Sequence, residues 1–529
     1  MENKKTKIIS IGAVVALALT VITATYAYFN AQVGDPAVAD IKVNANTVDT
    51  FTFSNGSAIS FSINQDNFAS GAGNQTGSTY ASAMLTANNK TNTATEHYYL
   101  YLNIENNTFT YSINTNTPEI IMTVKNSVGN EVTDISTLNH VIVTGANGTQ
   151  VSGYDITNKS GLITLFDNRE ITTTSSKEEK WNITITFVNY DENQNANAGK
   201  SMSAKVMIQK EVIPQVVSDV CSNGTNLATC ITTLANKSIP SATNIYHHDS
   251  SLSNGAGDNS YRYAGASDVV NNFVCFGSNE STCPTDNLYR IIGVFGNNVK
   301  LIKYDYGTTD ELGTDGDYNQ TYKEWGMDST YKGTYGDGER IGVYYWNNTT
   351  QTNTWSESLL NKTNLNTNFI NNIGEEWANK IATTTWKVGG NTYSNIYSKT
   401  PSVVYQNEIV NPVTTNTTDN ATEYTAKIGL MYVSDYGFAA EPSAWTLTIG
   451  NYNNTTATST NWMYMGLYEW TISRTAEYSN IAFFVYYFGY VNSGSVGNDT
   501  YAVRPSFSLL SSVTYSKGDG TKNSPIRIN

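Results

Sequence analysis

Residues 181–190 read WNITITFVNY, and this stretch decides the class of the first domain. Trp181, Ile183, Ile185 and Phe187 alternate with polar residues, which is the period-two pattern of a half-buried strand. Similar short segments predict further strands at residues 51–53, 59–63, 98–104, 109–113, 119–124 and 202–208, separated by Asn, Gly and Ser clusters. Many strands without intervening helices predict an all-β sandwich over residues 31–212.

The N-terminus has the layout of an export signal. Three lysines in residues 2–7, ENKKTK, precede an uncharged run that starts at Ile8 and passes Ala24. The run is also close to the roughly 20 apolar residues that a membrane helix needs. We therefore predict that residues 1–30 are a signal peptide or a retained membrane anchor, with cleavage after Ala27 as the favoured interpretation.

Length and charge restrict the domain count and the partners. A chain of 529 residues is too long for one hydrophobic core, so two or three domains are expected. The net charge of −14 disfavours nucleic acid and other polyanions, whose binding depends on clustered Lys and Arg. Charged residues make up only 14% of the chain and there are 36 tyrosines, a composition that indicates an exported, β-rich protein.

The four cysteines agree with export to an oxidising compartment. Four cysteines allow three pairings, and adjacency predicts disulfides between Cys221 and Cys230 and between Cys275 and Cys283. Metal binding is the alternative. Neither pair has the C-x-x-C spacing of a zinc site, which disfavours that alternative.

The first part of the chain resembles a known family. The lysine-led signal ending in TYAYF and the late strands WNITITFVNYDENQNANAGKSMSAKVMIQ are similar to the TasA and camelysin class of Firmicute surface and biofilm-matrix proteins. The resemblance implies export by a dedicated signal peptidase and self-assembly into fibres by strand exchange. It does not carry over the metalloprotease activity linked to camelysin relatives, because the sequence contains no H-E-x-x-H.

The composition changes after the sandwich. Residues 213–236 read as a linker with a short disulfide loop, and residues 226–237 predict a short helix. Residues 237–529 predict an α+β domain, with a hairpin at 288–306 and one sustained helical region at 355–386.

Landmarks in this part resemble a second family. TWSESLLN, GLMYVSDYGF, EWTISR, AVRPSFSLLSS and the terminal GDGTKNSPIRI are similar to an uncharacterised domain of Firmicute surface proteins, related to the formylglycine-generating-enzyme branch of the C-type-lectin-like fold. The resemblance covers residues 285–529 and implies a lectin-like fold. It does not imply oxidase activity, because those enzymes depend on a late cysteine pair and no Cys follows Cys283.

Two groups of residues are candidates for ligand binding. Arg474 and Arg504, beside Trp470, could orient a carboxylate with their planar forks; the alternative is that each Arg pairs with a buried Asp or Glu. The second group lies in residues 481–502, because the corresponding late segment of lectin-like folds often carries ligand contacts. The candidates there are Tyr486, Tyr487, Tyr490 and Tyr501, which could stack on sugar rings or instead pack in the core.

Metal and catalytic sites have less support. Asp315, Asp317 and Asn319 alternate like the start of a calcium loop, but the sixth and twelfth positions hold Gln320 and Gly326, which excludes an EF-hand. Two interpretations of these residues stay open, a looser calcium site and a solvated acidic turn. His247 and His248 are adjacent and point to opposite faces of an extended chain, which disfavours a shared metal.

Taken together, these patterns predict a bacterial cell-surface or secreted binding and adhesion protein, not an enzyme. Its partner would be a surface glycan or a protein ligand, without nucleic acid, with membrane contact only through the N-terminal helix. No cofactor is indicated beyond the calcium alternative. Two other functions stay open: a fibre-forming matrix subunit, and a wall-active hydrolase with a pair of carboxylates.

Overall fold

The computed structural model describes residues 49–68, 72–88, 92–325, 329–336, 338–392, 396–412, 422–453 and 459–529. The chain divides into two compact units, Met1–Ile213 and Pro214–Asn529. The predicted signal or anchor, residues 1–30 with its cleavage position Ala27, lies outside the described residues. Within the described ranges, no helix combines the length and the apolar character needed to cross a membrane.

Strands hold 38% of the residues and helices 18%, so the protein is mainly β, as predicted. The first unit contains β1 (Thr50–Asn55), β2 (Ile59–Ser62), β3 (Gln75–Thr86), β4 (Ala94–Asn107), β5 (Ile120–Asn126), β6 (His140–Thr144), β7 (Gln150–Asp155), β8 (Gly161–Thr173), β9 (Ser176–Phe187) and β10 (Ser201–Gln209).

These strands form two antiparallel sheets, with a main core between them and a smaller cluster of buried residues that includes Leu85, Tyr98 and Ile171. The larger has the order β1-β3-β9-β5-β7-β6 and the smaller β2-β10-β4-β8. The apolar residues of β9, Trp181, Ile183, Ile185 and Phe187, are buried and pack with residues of both sheets. The arrangement is consistent with the predicted β-sandwich.

One predicted strand of this unit is wrong. Residues 109–113 are irregular because the buried carboxylate of Glu119 accepts hydrogen bonds from the Ser112 amide (2.5 Å) and the Ile113 amide (3.3 Å). Gln194 and Asn197 donate to the same carboxylate from the other side, each at 2.8 Å. Because its backbone amides donate to the Glu119 carboxylate, this segment does not pair with a neighbouring strand, although its sequence alternates.

The second unit combines many short strands with short helices. Its strands are β11 (Ile245–His248), β12 (Ser260–Tyr263), β13 (Phe273–Cys275), β14 (Leu288–Phe295), β15 (Asn298–Lys303), β16 (Tyr318–Thr321), β17 (Gly342–Tyr345), β18 (Thr384–Lys387), β19 (Gly390–Asn391), β20 (Glu423–Ala426), β21 (Ile428–Gly429), β22 (Glu469–Thr475), β23 (Ile481–Val485), β24 (Val491–Ser495), β25 (Thr500–Tyr501), β26 (Ser506–Ser508), β27 (Tyr515–Lys517) and β28 (Arg527–Ile528). Its helices are α1 (Leu227–Lys237), α2 (Pro240–Thr243), α3 (Thr309–Leu312), α4 (Tyr322–Trp325), α5 (Leu360–Phe369, with π-type turns), α6 (Ile370–Ile373), α7 (Glu375–Ala378), α8 (Pro401–Tyr405), α9 (Gln406–Val410, also π-type) and α10 (Val433–Phe438).

The central sheet of this unit has the order β11-β12-β14-β15-β26-β21, with β13 also paired to β14. Its β14–β15 hairpin and helix α1 lie where the sequence predicted them. Disulfides join Cys221 to Cys230 and Cys275 to Cys283, which is the predicted pairing.

The long helical region predicted at residues 355–386 is shorter and interrupted. It consists of α5, α6 and α7, and residues 384–387 form strand β18 instead. Gly374 stands between α6 and α7 with φ +79° and ψ 159°, a backbone conformation that favours glycine and interrupts the helix. The prediction of a helical region is confirmed for residues 360–373, although its first part has π-type turns, and Gly374 separates it from α7.

Candidate functional site

The site is built on the β23–β24 hairpin near the C-terminus of the second unit. Strand β22 pairs with β23, and β23 pairs with β24, in a sheet ordered β19-β22-β23-β24. The turn between β23 and β24 is closed by the Tyr486 amide, which donates to the Tyr490 carbonyl at 2.8 Å. Gly489 adopts φ +96° in this turn, which favours glycine there. The turn therefore displays the aromatic side chains around it at the end of the hairpin.

Six aromatic residues form one continuous group, here called the aromatic cluster: Tyr468, Tyr486, Tyr487, Phe488, Tyr490 and Tyr501. Neighbouring rings are in contact. The ring centroids are 4.7 Å apart for Tyr486 and Tyr490, 4.0 Å for Tyr487 and Phe488, and 4.9 Å for Tyr468 and Tyr486. Phe488 is 40% exposed and the five tyrosines are half-buried. The cluster is thus a fixed, partly exposed aromatic surface.

The base of the cluster is held by buried rings. Tyr501 lies 4.3 Å from Phe484 and 4.5 Å from Trp470, measured between ring centroids. Tyr501 also belongs to β25, which pairs with β17 in the order β16-β17-β25. Because two sheets support it from below, the cluster needs little ordering before it contacts a ligand.

Polar groups lie beside the cluster. The Asn319 amide donates to the hydroxyl of Thr500, next to Tyr501, at 3.3 Å, and the Asp499 carboxylate accepts from the Ser495 amide at 2.7 Å. The Tyr397 hydroxyl donates to the side chain of Asn492 on β24. Apolar rings bordered by amide, hydroxyl and carboxylate groups match the general make-up of a small-ligand site.

Three residues that the sequence predicted to contact a ligand are buried inside the second unit: Arg504, Trp470 and Arg474. Arg504 is 1% exposed, and its Nε and Nη2 donate to the two oxygens of Glu469 at 2.8 and 3.0 Å. Burial opposes the charge, but the Glu469 carboxylate raises the pKa of Arg504. Trp470 is fully buried, with its Nε1 donating to the Tyr344 carbonyl at 2.8 Å. Arg504 therefore pairs with a buried carboxylate, which was the alternative to a ligand contact.

Arg474 is also interior, but without a carboxylate. It is 2% exposed; its Nε donates to the Val388 carbonyl at 2.6 Å and its Nη1 to the Thr475 carbonyl at 3.3 Å. Its Nη2 has no hydrogen-bond partner among the described residues. Burial lowers the pKa of Arg474 to about 10. Arg474 is therefore buried away from solvent, and the alternative of a pair with a buried carboxylate is not observed for it within the described ranges.

The predicted calcium residues do not converge. Asp317 is buried, and its carboxylate accepts from the amides of Leu360 (2.7 Å) and Asn348 (2.9 Å), so it caps the start of helix α5. Asp315 and Asn319 are exposed. The interpretation as a solvated acidic turn is wrong for Asp317. No group of three metal-ligating side chains exists in the described part of the chain.

The two adjacent histidines have separate roles. His247 stacks on Tyr261 at 4.2 Å between ring centroids, whereas the Nδ1 of buried His248 accepts from the Ala256 amide at 3.0 Å. Burial, with Arg262 nearby, lowers the pKa of His248 to about 2. The two side chains therefore contact different groups, and His248 is a neutral, packed imidazole.

A polar cleft in the first unit was missed by sequence reasoning. It has a volume of about 340 Å³ and is lined by residues of β3, β5, β7 and β9 together with Glu131. Glu131 accepts from the Ser152 hydroxyl and from His140 Nε2, both at 2.8 Å. These residues come from separate strands and loops, so no local sequence motif predicts the cleft.

Two members of the aromatic cluster were also missed, although the sequence held a signal for them. Tyr468 precedes EWTISR and Phe488 ends the run FFVYYF, in which alternation cannot bury every ring. A scan against protein-family models found no match, and a search of curated proteins found none either. The residues of the site are therefore the basis for inferring its function.

Proposed function

We propose that the protein is an exported bacterial binding protein whose second unit, a C-type-lectin-like domain at residues 237–529, binds a surface glycan through the aromatic cluster. The sandwich would serve as the module that presents it. The observation that carries the proposal is the continuous group of partly exposed rings, of which Phe488 is the most exposed at 40%.

Aromatic surfaces of this kind favour ligands with both apolar and hydroxyl faces. Soluble proteins rarely expose contiguous apolar patches without a binding role. A pyranose ring offers a C–H face to an aromatic ring and hydroxyls to groups beside it. In this site the rings of Tyr486 and Phe488, 5.8 Å apart, would take the C–H face, and the hydroxyls would be taken by polar side chains of the same hairpin region such as Asn492 and Asp499.

Export is proposed on the disulfides. Bonds such as Cys221–Cys230 and Cys275–Cys283 persist in oxidising compartments and are rare in the cytosol. Together with the low charged fraction of 14%, they support a cell-surface or extracellular location.

The proposal is tested by a glycan array probed with the full chain. We expect binding to one class of glycan, and we expect Phe488→Ala to weaken it. The matched control is Tyr99→Ala, which removes a half-buried ring of strand β4 in the first unit. Uniform silence on the array, with no protein ligand recovered by pull-down, would refute a binding function.

A structural role in fibres is the second candidate, and strand β6 favours it. This strand ends the order of the larger sheet, and Ile142 at its centre is 66% exposed. Exposed apolar edge strands can accept a strand from another chain. Electron microscopy of the secreted protein distinguishes the two functions, because fibres support assembly and monodisperse particles count against it.

A further inference from the structure

Lys300 and Asp435 meet in the interior of the second unit. Lys300 belongs to β15 and Asp435 to α10, and the Lys300 Nζ is 2.5 Å from the Asp435 Oδ2. Their side chains are 7% and 3% exposed. The two reactive groups are thus in contact and shielded from water, and they are 135 residues apart in the chain.

The Lys300 amine is enclosed by aromatic rings in the interior of the second unit, away from water. Its Nζ lies 4.5 Å from the ring centroid of Tyr432, 5.3 Å from that of Trp386 and 5.7 Å from that of Phe295. Burial lowers the pKa of Lys300, although the Asp435 carboxylate opposes this. A neutral lysine amine is a nucleophile, whereas the ammonium ion is not.

The surroundings of Asp435 favour attack on its carboxyl carbon. The Arg262 Nη1 is 3.5 Å from Oδ1, and the Tyr432 amide donates to Oδ2 at 3.0 Å. The closest carboxylate to Arg262 is that of Asp258, at 2.7 Å, so the contact with Asp435 is the longer of the two. A positive group at Oδ1 is placed to stabilise negative charge that develops on that oxygen.

A third acidic group lies close by. Glu408 is fully buried and accepts from the amide of Ser434, the residue before Asp435, at 2.8 Å. Burial raises the pKa of Glu408 to about 7, so both its neutral and its ionised forms are present near neutral pH. The interior around the pair can therefore take up and return a proton.

From this arrangement we propose that Lys300 and Asp435 condense to an intramolecular amide bond. The Nζ lone pair attacks Cγ of the Asp435 carboxyl, the new Nζ–Cγ bond forms, and one Cγ–O bond breaks. The departing oxygen takes the carboxyl proton and one proton from Nζ and leaves as water. No oxidant, reductant or other reactant is needed, and the contact geometry replaces a bimolecular encounter.

The bond would change how the second unit resists stress. It would join β15 of the central sheet to α10 covalently, and would close a loop of chain far longer than those of the two disulfides. Reducing agents would leave it intact.

Peptide mapping of the full-length protein tests the proposal. After denaturation, reduction and trypsin digestion, we expect a branched peptide that joins residues 291–303 to residues 428–474, with a mass one water below the sum of the two. Cleavage after Lys300 should be blocked, because its amine is acylated. Lys303, whose Nζ is 2.8 Å from the partly exposed Glu311, is an internal control that should be cleaved normally.

The variant Lys300→Arg keeps the positive charge and lacks the primary amine, so trypsin should cleave after residue 300 and yield only the linear peptides 291–300, 301–303 and 428–474. The wild-type digest is decisive even if this variant fails to fold. Recovery from wild type of separate peptides, with full cleavage after Lys300, would overturn the proposal.

Discussion

The residues that the sequence singled out for ligand binding separate into an interior half and a surface half. Arg474, Arg504 and Trp470 are at most 2% exposed, whereas the predicted tyrosines are half-buried and join the exposed Phe488. The interior half stabilises the fold and the surface half is available to a ligand. An Arg, Trp or Tyr can therefore be assigned to ligand recognition only after the exposure of its side chain is known. Mutations in the interior half should lower the free energy of unfolding. Mutations in the surface half should weaken ligand binding and leave the free energy of unfolding almost unchanged.

The largest effect is expected from Glu469→Gln in the interior half. The change leaves the buried guanidinium of Arg504 without its carboxylate, and breaking one side of a buried ion pair costs about 3–5 kcal/mol. Urea unfolding followed by tryptophan fluorescence measures it, because every tryptophan except Trp181 lies in the second unit. A loss of less than about 1 kcal/mol would show that Glu469 does not neutralise Arg504.

The next effect is a pH dependence caused by Glu408. Its pKa is about 7 in the folded protein against an ordinary value of 4.5. The neutral carboxyl therefore stabilises the fold fully below pH 4.5, and this contribution is lost as the pH rises through 7. At about 1.4 kcal/mol per pKa unit, the loss is on the order of 3 kcal/mol.

The variant Glu408→Gln removes this titration and keeps one oxygen acceptor for the Ser434 amide, while its NH2 group can donate to the Ser473 hydroxyl. Its stability relative to wild type should rise by about 2–3 kcal/mol between pH 5 and pH 8, measured by urea unfolding at both values. Parallel losses in the two proteins would show that Glu408 is already ionised in the folded state.

A smaller effect is expected from Arg474→Met, the interior counterpart without a carboxylate. The change leaves the Val388 carbonyl without its donor, which costs about 1–3 kcal/mol, but it also removes a buried charge that no carboxylate of the described residues pairs with. We expect a net loss below about 2 kcal/mol in the same unfolding experiment. A loss as large as that of Glu469→Gln would make the distinction between the two arginines wrong.

The β-rich class, strands β1, β2, β4, β5, β9 and β10, the β14–β15 hairpin and helix α1 could be predicted because they depend on local periodicity, whereas β3, β6, β7 and β8 were not predicted. The irregular segment at residues 109–113 could not, because Glu119, Gln194 and Asn197 decide it from a distance in the sequence. The site was predicted in part for a similar reason. A run such as FFVYYF shows that some rings are exposed, but only packing against Trp470 and Phe484 determines which.

The smallest stability effect and the clearest functional one should come from the surface half. Phe488→Ala removes a ring that is 40% exposed, so the free energy of unfolding should change by no more than about 0.5 kcal/mol. Loss of an aromatic contact in a binding site typically costs 1–2 kcal/mol, or about tenfold or more in affinity.

The most direct test of the aromatic cluster as a glycan site is calorimetric titration of the best array glycan into wild type, Phe488→Ala and Tyr99→Ala. We expect the Kd to rise about tenfold or more for Phe488→Ala, with unfolding unchanged, and to stay at the wild-type value for Tyr99→Ala. Equal Kd values for wild type and Phe488→Ala would contradict the assignment of the aromatic cluster as the binding surface.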